Sequence, residues 1–380
     1  MAWVVHSAIV ERRSPLGSKI TIIVPEHERT LESVVLSLAY RDSSLANHDA
    51  LLSRFPDYTE ILMLVPAENT SVIAAELAQK HYGQRVRLFP YDTNPMTRGR
   101  LFMIFPDESR LLDARIAETN RMYRCGTIWA QDLFEVAVNN RGHSLLLAAE
   151  MHKYYYTDNA DPSGNENPLV ARDNAFLEAL ESPLLEVRAL PIVFKGGNLL
   201  IDQKEGRRIV FCGIAVIDET RTVLSAFGSA APSDMQIRSA IKNHFVADDV
   251  VVLGIRGKQP DAIYHLDQAM LLLRDGVVGV ERVVDAAEAL ATGKDDVREA
   301  VEYLAVVRSC LSQQGYDVFD ILVTSDNIRK LQHYANAIPY VDKHTGIKTV
   351  MMPVYKSADS PADRDLIERN IVAFRELGYE

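Results

Sequence analysis

Short apolar runs alternate with helix-length stretches along this chain, and the alternation limits the folds that the sequence can adopt. The runs are rich in Val, Ile and Leu, and they cover residues 19–25, 60–66, 84–90, 144–148, 192–194, 208–211, 250–253, 321–324 and 348–353. The longer stretches carry apolar residues three and four positions apart, and they cover residues 70–82, 174–180, 234–245, 297–314 and 360–377. This pattern predicts an α/β fold, either a wound parallel sheet or a ring of strand and helix units.

Composition restricts the partners that the chain is expected to have. The 380 residues are 47% hydrophobic and 24% charged, which is typical of a globular protein. A formal net charge of −11 disfavours nucleic acid and anionic lipid as partners. The apolar runs are shorter than the ~18–20 residues that a membrane-spanning helix needs, and the N-terminus lacks the pattern of a secretory signal. We therefore expect a protein of the cytoplasm, with an unknown oligomeric state.

The chain is expected to form one domain over residues 1–380. Residues 156–168 are rich in Asp, Asn, Gly, Ser and Pro and predict a surface loop, which we interpret as an active-site insertion or crossover rather than a domain linker. Ser360 and Pro361 are typical of a helix N-terminus, and Gly378 is typical of a C-terminal glycine cap. Tyr379 and Glu380 resemble the first residues of a further strand.

The common signatures of nucleotide, phosphate and zinc sites are absent from the sequence, as is the G-x-S-x-G motif of serine hydrolases. We therefore expect neither a cofactor nor a metal. Polar residues concentrate instead in four segments, which are Thr127–Asp132, Phe194–Leu200, Tyr264–Asp267, and Tyr334–Ile338 followed by Val350–Tyr355.

In this order, the four segments resemble motifs of the guanidino-group-modifying superfamily, which has the pentein fold. The similarity is greatest to its agmatine deiminase and bacterial peptidylarginine deiminase branch, whose members carry Trp-x-Arg-Asp, Gly-Gly-Asn, His-x-Asp and Tyr-x-Asn-Ala segments and then a catalytic Cys. It extends from about Trp129 to the end of the chain. The resemblance implies a propeller of repeated ββαβ units with pseudo-five-fold symmetry. It also implies a hydrolase that releases ammonia from an arginine-like or peptidyl-arginine substrate through a thiol mechanism.

Guanidinium chemistry explains the residue types in these segments. The group is planar and permanently cationic, so it is best bound by carboxylates that accept forked hydrogen bonds, and Asp132 and Asp267 are the candidates. Hydrolysis also needs a proton shuttle for the departing amine, and His265 fits that role because imidazole titrates in the useful range.

The resemblance assigns further residues to the site. It implies that Gly197 allows a tight turn beside the ligand, that Asn198 and Asn336 hold loops or bind substrate, and that Trp129 contributes to substrate binding.

Each motif alone also has an ordinary structural interpretation. Asp132 could cap a helix or strand, Trp129 could belong to the core, and Gly196–Asn198 could form a hairpin turn. His265 and Asp267 could be a hydrogen-bonded pair or half of a metal site. Only the order of the segments favours the functional interpretation.

Two residues depart from the family pattern near the expected substrate site. Gln131 stands where an Arg is usual, and Lys195 stands where agmatine deiminases have a substrate-binding Glu. Because Lys195 would repel a dication such as agmatine, we expect a substrate without a second amine, either peptidyl arginine or arginine with its carboxylate.

The family's catalytic Cys follows a Gly-rich turn after the last helix, and the sequence does not contain that block. Cys212 and Cys310 read as packing residues, and Cys125 is the remaining candidate for the nucleophile. Either the nucleophile lies beyond Glu380, or the protein binds a guanidino ligand without covalent chemistry. An amidinotransferase is a third alternative, because it differs only in the group that attacks the covalent intermediate.

Overall fold

The structure is a computed structural model that describes most of the chain from residue 192 onward and shorter stretches before it. The described residues are 3–5, 21–22, 31, 33–37, 45, 48–66, 69–82, 85–91, 135–139, 144–149, 155–156, 169–170, 185–190, 192–194, 196–226, 231–291, 295–355 and 361–380.

Short strands and helices alternate through these residues. The strands are β1 (Trp3–Val5), β2 (Thr21–Ile22), β3 (Ser33–Ser37), β4 (Glu60–Pro66), β5 (Val86–Tyr91), β6 (Glu135–Asn139), β7 (Ser144–Ala149), β8 (Tyr155–Tyr156), β9 (Leu169–Val170), β10 (Leu185–Leu190), β11 (Leu199–Lys204), β12 (Arg207–Gly213), β13 (Asp249–Leu253), β14 (Met270–Arg274), β15 (Val277–Val283), β16 (Asp317–Val323), β17 (Ile338–Val341) and β18 (Lys348–Met351). The helices are α1 (Asp49–Leu52), α2 (Thr70–Gln79), α3 (Ile214–Ala226), α4 (Asp234–His244), α5 (Leu266–Ala269), α6 (Ala286–Ala291), α7 (Asp295–Gln313), α8 (Ser325–Arg329) and α9 (Pro361–Glu376).

Contacts between residues divide the chain into two compact units. The first comprises Met1–His6 and Leu31–Val193, and the second comprises Ser7–Thr30 and Phe194–Glu380. The expectation of a single domain over residues 1–380 stays a prediction.

The first unit contains two small sheets that share one pattern. In one sheet β1 pairs antiparallel with β3, and β4 and β5 then add in parallel. In the other, β6 pairs antiparallel with β7, and β10 adds in parallel to β7. Helix α2 buries Ile73 and Leu77, which are four residues apart and therefore lie on one face.

The second unit repeats the same three-strand pattern. Strands β11 and β12 form a hairpin, and β13 pairs in parallel with β12 after helices α3 and α4. Strands β14 and β15 form the next antiparallel pair, and β16 pairs in parallel with β15 after α6 and α7. In the first hairpin, Glu205 and Gly206 both have positive φ, as a tight two-residue turn between right-twisted strands requires.

The third antiparallel pair, β17 and β18, is also extended in parallel. The Glu380 N–H donates to the Lys348 carbonyl at 2.9 Å, and the Glu380 carbonyl accepts from the Val350 N–H at 3.0 Å. Bonds from one residue to both neighbours of its partner are the pattern of a parallel pair. Glu380 therefore adds to β18 as β13 adds to β12.

Helix α7 supplies a large part of the core around β14–β16. Its buried side chains recur at intervals of three and four residues, with Tyr303 and Leu304 adjacent, and they are Val297, Ala300, Tyr303, Leu304, Val307 and Leu311. This spacing places them on one stripe of the helix, which explains why the sequence pattern predicted a helix here.

The α/β prediction is confirmed, and several element bounds agree closely with the sequence pattern. The predicted strand 60–66 is β4, and the predicted helix 234–245 is α4 with one residue fewer. The last helix ends as predicted, because Gly378 has a φ of 86° and its N–H donates to the Arg375 carbonyl at 2.9 Å. The predicted closed propeller with pseudo-five-fold symmetry stays a prediction.

One predicted strand is wrong. Residues 192–194 are buried but form no strand, because the Ile192 N–H turns back to the Leu190 carbonyl at 2.8 Å. The predicted helix 174–180, the proposed N-cap Ser360 and most of the loop 156–168 lie outside the described residues.

Helix α4 offers a test of the local sequence signals. Ser233 caps its N-terminus, since the side chain accepts from the Gln236 N–H while the Gln236 side chain accepts from the Ser233 N–H. We expect Ser233→Ala to lower the free energy of unfolding by about 1 kcal/mol. The control Ser239→Ala makes the same change in the exposed middle of the helix, where we expect equal or slightly higher stability. Urea unfolding of both variants measures the difference, and equal losses would contradict the capping role.

Candidate functional site

The Gly-Gly-Asn motif forms a buried turn, not a hairpin. Gly196–Asn198 is one turn of 3-10 helix that leads directly into β11, and all three residues are buried. A Cβ atom at Gly197 would lie 2.9 Å from both carboxylate oxygens of Asp267 and 2.9 Å from Nδ1 of His265. The glycine therefore brings the backbone against these two side chains, which no larger residue could do without displacing them.

His265 and Asp267 lie at the beginning of α5. Both are 6% exposed. The Gln268 side-chain oxygen accepts from the N–H groups of Tyr264 and His265, at 2.9 and 3.1 Å, and so fixes the start of the helix. The Tyr264 ring meets the His265 ring edge-on, with 4.7 Å between centroids. The imidazole and carboxylate are thus held by their own backbone segment as well as by Gly197.

Asn198 connects the two segments. Its Nδ2 donates to the Tyr264 carbonyl at 3.1 Å, and its Oδ1 accepts from the Leu266 N–H at 3.1 Å. The same Oδ1 lies 2.7 Å from where a Cβ of Gly213 would be, so the carboxamide fits closely against β12. Asn198 is a structural brace of the cluster, one of the two roles that the sequence resemblance implied.

A second polar pair lies nearby, between Glu281 on β15 and His333 before β17. Each is 1% exposed. Nδ1 of His333 lies 2.9 Å from Oε2 of Glu281, and Nε2 lies 2.7 Å from the Ala262 carbonyl oxygen. The other carboxylate oxygen of Glu281 accepts from the Ala335 N–H at 3.1 Å.

The pKa of His333 is raised above its ordinary value of 6.5. Burial acts to lower it, but the charge and hydrogen bond of Glu281 outweigh burial, and the Ala262 carbonyl and the Asp267 charge act in the same direction as Glu281. The pair lies beside the segment of His265 and Asp267, because its imidazole is bonded to Ala262, three residues before His265.

Asn336 is half-buried, and it lies in a tight turn in which the Ala337 N–H donates to the Ala335 carbonyl at 2.7 Å. The adjacent Tyr334 packs against Tyr355, with ring centroids 5.7 Å apart. The structure therefore fixes the turn that carries Asn336, and the role of its carboxamide stays a prediction.

Trp129, Asp132 and Cys125 lie outside the described residues, as do Gln131 and Lys195. The predicted meeting of Asp132 with Asp267 therefore stays a prediction.

The two described cysteines lie in the core and on a helix. Cys212 is fully buried in β12 and burial raises its pKa, while Cys310 on α7 is partly buried and its pKa is also raised by burial. Both thiols are held in the protonated, unreactive form.

The site segments occupy equivalent positions in the repeated pattern. Gly196–Asn198 precedes β11, His265 and Asp267 precede β14, and Asn336 precedes β17, so each segment stands before the first strand of a three-strand group. Asp132 has the same position in the sequence relative to β6.

Sequence reasoning missed Glu281, His333 and Gln268. Glu281 carried a signal, because it is a charged residue inside the apolar run of β15 and a buried charge needs a partner. Its partner lies 52 residues further along the chain, which no local pattern reveals.

The described residues show no feature of a metal centre or of a membrane-spanning helix. Among the described residues, no three His, Cys, Asp or Glu side chains are grouped as metal ligands would be. None of the helices in the described part of the chain has the length and hydrophobicity needed to cross a membrane.

Comparisons with known proteins give matches at the level of structure. No family model and no curated protein sequence matches the chain. A Cys-to-Ser variant of C. jejuni agmatine deiminase with substrate bound matches with a TM-score of 0.58 and 16% identity, over 97% of this chain and 92% of that one. A second C. jejuni agmatine deiminase structure gives 0.57 and 14%, over 95% and 90%. The agmatine deiminase of Enterococcus faecalis gives 0.50 and 13%, over 93% and 88%. This chain shares the fold of agmatine deiminases.

The agmatine deiminase fold confirms the resemblance that the four sequence segments suggested. The match covers 97% of this chain, whereas the sequence motifs extend only from about Trp129. At 13–16% identity the likeness establishes the fold, and function has to be argued from the site.

The brace formed by Asn198 is testable through stability. Asn198→Ala leaves the buried Leu266 N–H and the Tyr264 carbonyl without their side-chain partner, and we expect a loss of about 2–3 kcal/mol in the free energy of unfolding. Asn243→Ala makes the same change at an exposed position of α4 and should alter it by less than about 0.5 kcal/mol. Denaturant unfolding measures both, and a loss at Asn198 no larger than at Asn243 would exclude the brace.

Proposed function

We propose that this protein is a guanidino carbon–nitrogen hydrolase that acts on an arginine-like substrate. The observation that carries the proposal is the meeting of Gly197, His265 and Asp267 within a chain that has the agmatine deiminase fold. The reaction would convert a guanidinium and water into a ureido group and ammonium.

Asp267 would bind the planar cation. Its carboxylate is 6% exposed, so a guanidinium placed against it would be largely removed from water and would need the paired negative charge. A carboxylate can accept two parallel N–H bonds from a guanidinium, which fixes the plane of the group as well as its charge. Asp132 would supply a second carboxylate.

His265 would move the proton. Departure of ammonia from the guanidino carbon requires a donor next to the leaving nitrogen, and the imidazole shares the close approach of Gly197 with the Asp267 carboxylate. A side chain so placed could give a proton to the leaving amine and then take one from the attacking water.

A thiolate would form the covalent intermediate, because it is the nucleophile that the resemblance implies. Cys212 and Cys310 do not suit this role, because burial raises the pKa of both thiols. The nucleophile would then be Cys125 or a residue beyond Glu380. The raised pKa of both thiols also favours a second candidate function, in which the protein binds a guanidino ligand without turning it over.

One experiment distinguishes the two candidate functions. The full-length gene product is incubated with Nα-acetyl-L-arginine amide, and both binding heat and ammonia release are measured. Binding with ammonia release supports the hydrolase, and binding alone supports the second candidate. If neither is detected with any arginine derivative, both proposals are wrong.

The Asp267 carboxylate is the first residue to test. We expect Asp267→Asn to weaken binding of Nα-acetyl-L-arginine amide by at least ~30-fold, since one partner of a buried charge pair is lost. Asp261→Asn is a matched control in the same segment, on an exposed side chain, and should change affinity by less than about twofold. Isothermal titration calorimetry compares the variants, and equal affinities would remove Asp267 from the site.

The substrate preference is expected to depend on Lys195. Next to Gly196, an ammonium group would repel the second amine of agmatine, so we propose peptidyl arginine or arginine itself as substrate. Lys195→Glu should raise the affinity for agmatine relative to Nα-acetyl-L-arginine amide by about tenfold, because repulsion becomes attraction. Lys258→Glu makes the same charge change at an exposed site and should leave the ratio unchanged. A parent protein that already prefers agmatine would contradict this assignment.

A further inference from the structure

The hydrogen-bond partners of the buried Glu281 and His333 pair indicate where its protons lie. A carbonyl oxygen can only accept, so Nε2 of His333, 2.7 Å from the Ala262 carbonyl, carries a proton. Below the folded pKa of His333, which is raised above its ordinary value, Nδ1 also carries a proton and donates to the Glu281 carboxylate at 2.9 Å. The pair as a whole is therefore neutral, and a neutral, fully hydrogen-bonded pair is the form in which such groups tolerate burial.

Three hydrogen bonds connect this pair to neighbouring segments. The carboxylate accepts from the Ala335 N–H, the imidazole donates to the Ala262 carbonyl, and the His333 carbonyl accepts from the Tyr355 hydroxyl at 3.0 Å. All of these groups belong to the second unit. The pair thus ties the turn after residue 333 to the segment that begins at Ala262.

We infer that Glu281 and His333 are positioning residues of the proposed guanidinium site. The pair fixes the turn that carries Asn336 to the segment that carries His265 and Asp267. The inference rests on the proposed function for the identity of the ligand, but the ordering of the turn can be measured without any ligand. Neither residue would touch the substrate, since both ends of the pair are occupied by protein groups.

The pair should make the turn sensitive to alkaline pH. The charged or titratable groups that face the imidazole are Glu281 from β15, Asp267 from α5 and Tyr355 after β18. Because the pKa of His333 is higher in the folded protein than its ordinary 6.5, the stabilisation is complete below 6.5 and is lost as pH rises through the folded pKa. Above that point the Nδ1 lone pair would face a carboxylate oxygen.

The test uses two substitutions of Glu281 in the full chain. Glu281→Ala removes the acceptor for Ala335 and the partner of His333. Glu281→Gln keeps the shape and the acceptor, and its amide can donate to the Nδ1 of a neutral imidazole, so the hydrogen bonds are retained without a titrating pair. Glu288→Ala and Glu288→Gln are matched controls at an exposed position.

Two readouts are combined. Hydrogen exchange of peptides covering residues 333–337, corrected for intrinsic rates, should rise at least ~10-fold in Glu281→Ala and stay near the parent value in Glu281→Gln at about pH 6. As pH rises above 6.5 and through the folded pKa of His333, the parent should lose protection there, while Glu281→Gln should not. Affinity for Nα-acetyl-L-arginine amide should fall at least ~10-fold in Glu281→Ala and be restored in Glu281→Gln.

Each contrary result has a distinct meaning. The inference is overturned if Glu281→Ala leaves the exchange protection of residues 333–337 unchanged. It is also overturned if Glu281→Gln loses that protection at alkaline pH as the parent does. The Glu281→Gln result is sufficient by itself if Glu281→Ala does not fold. Loss of protection without loss of affinity shows that the pair orders the turn but does not serve the site, which also overturns it. A parent that does not bind the probe overturns the proposed function, and the exchange data then still decide whether the pair orders the turn.

Discussion

The carboxamide of Asn198 is the interaction on which the candidate site depends. With one donor and one acceptor it satisfies both a carbonyl and an N–H of the segment around His265, and it does so from the first turn before β11. Two hydrogen bonds to one peptide segment fix the orientation of that segment relative to the Gly196–Asn198 turn as well as its distance from it. The close packing of Gly197 against Asp267, where an added Cβ would lie 2.9 Å from the carboxylate oxygens, is a consequence of this alignment.

The repeated three-strand pattern explains why residues far apart in sequence meet. Each group begins with a segment that enters its first strand, and the site residues are placed on these entering segments rather than on the strands. The strands and the helix stripe of α7 then supply the buried core that holds those segments still. Chemistry and stability are therefore assigned to different parts of each repeat.

The sequence predicted the parts of the fold that depend on local patterns. An apolar run such as β4 must be buried, and a helix stripe such as that of α7 must face a core, so both could be recognised from spacing. The prediction of a strand at 192–194 was wrong because an apolar segment can be buried without pairing with a neighbouring strand. The Gly196–Asn198 segment has a local signal that favours a hairpin, yet it forms a turn of 3-10 helix, and its role beside a ligand stays a prediction. Glu281 could not be paired in advance, because its partner is fixed by tertiary structure.

His265 and His333 have different roles in the proposed site. His333 has both ring nitrogens engaged by fixed protein groups, so it cannot exchange a proton with a ligand on the time scale of a reaction without breaking the core. In the proposed reaction His333 therefore has a positioning role and does not act as the general acid or base. In the proposed reaction His265 would carry out both proton transfers. The same imidazole would protonate the leaving ammonia and then take a proton from the attacking water.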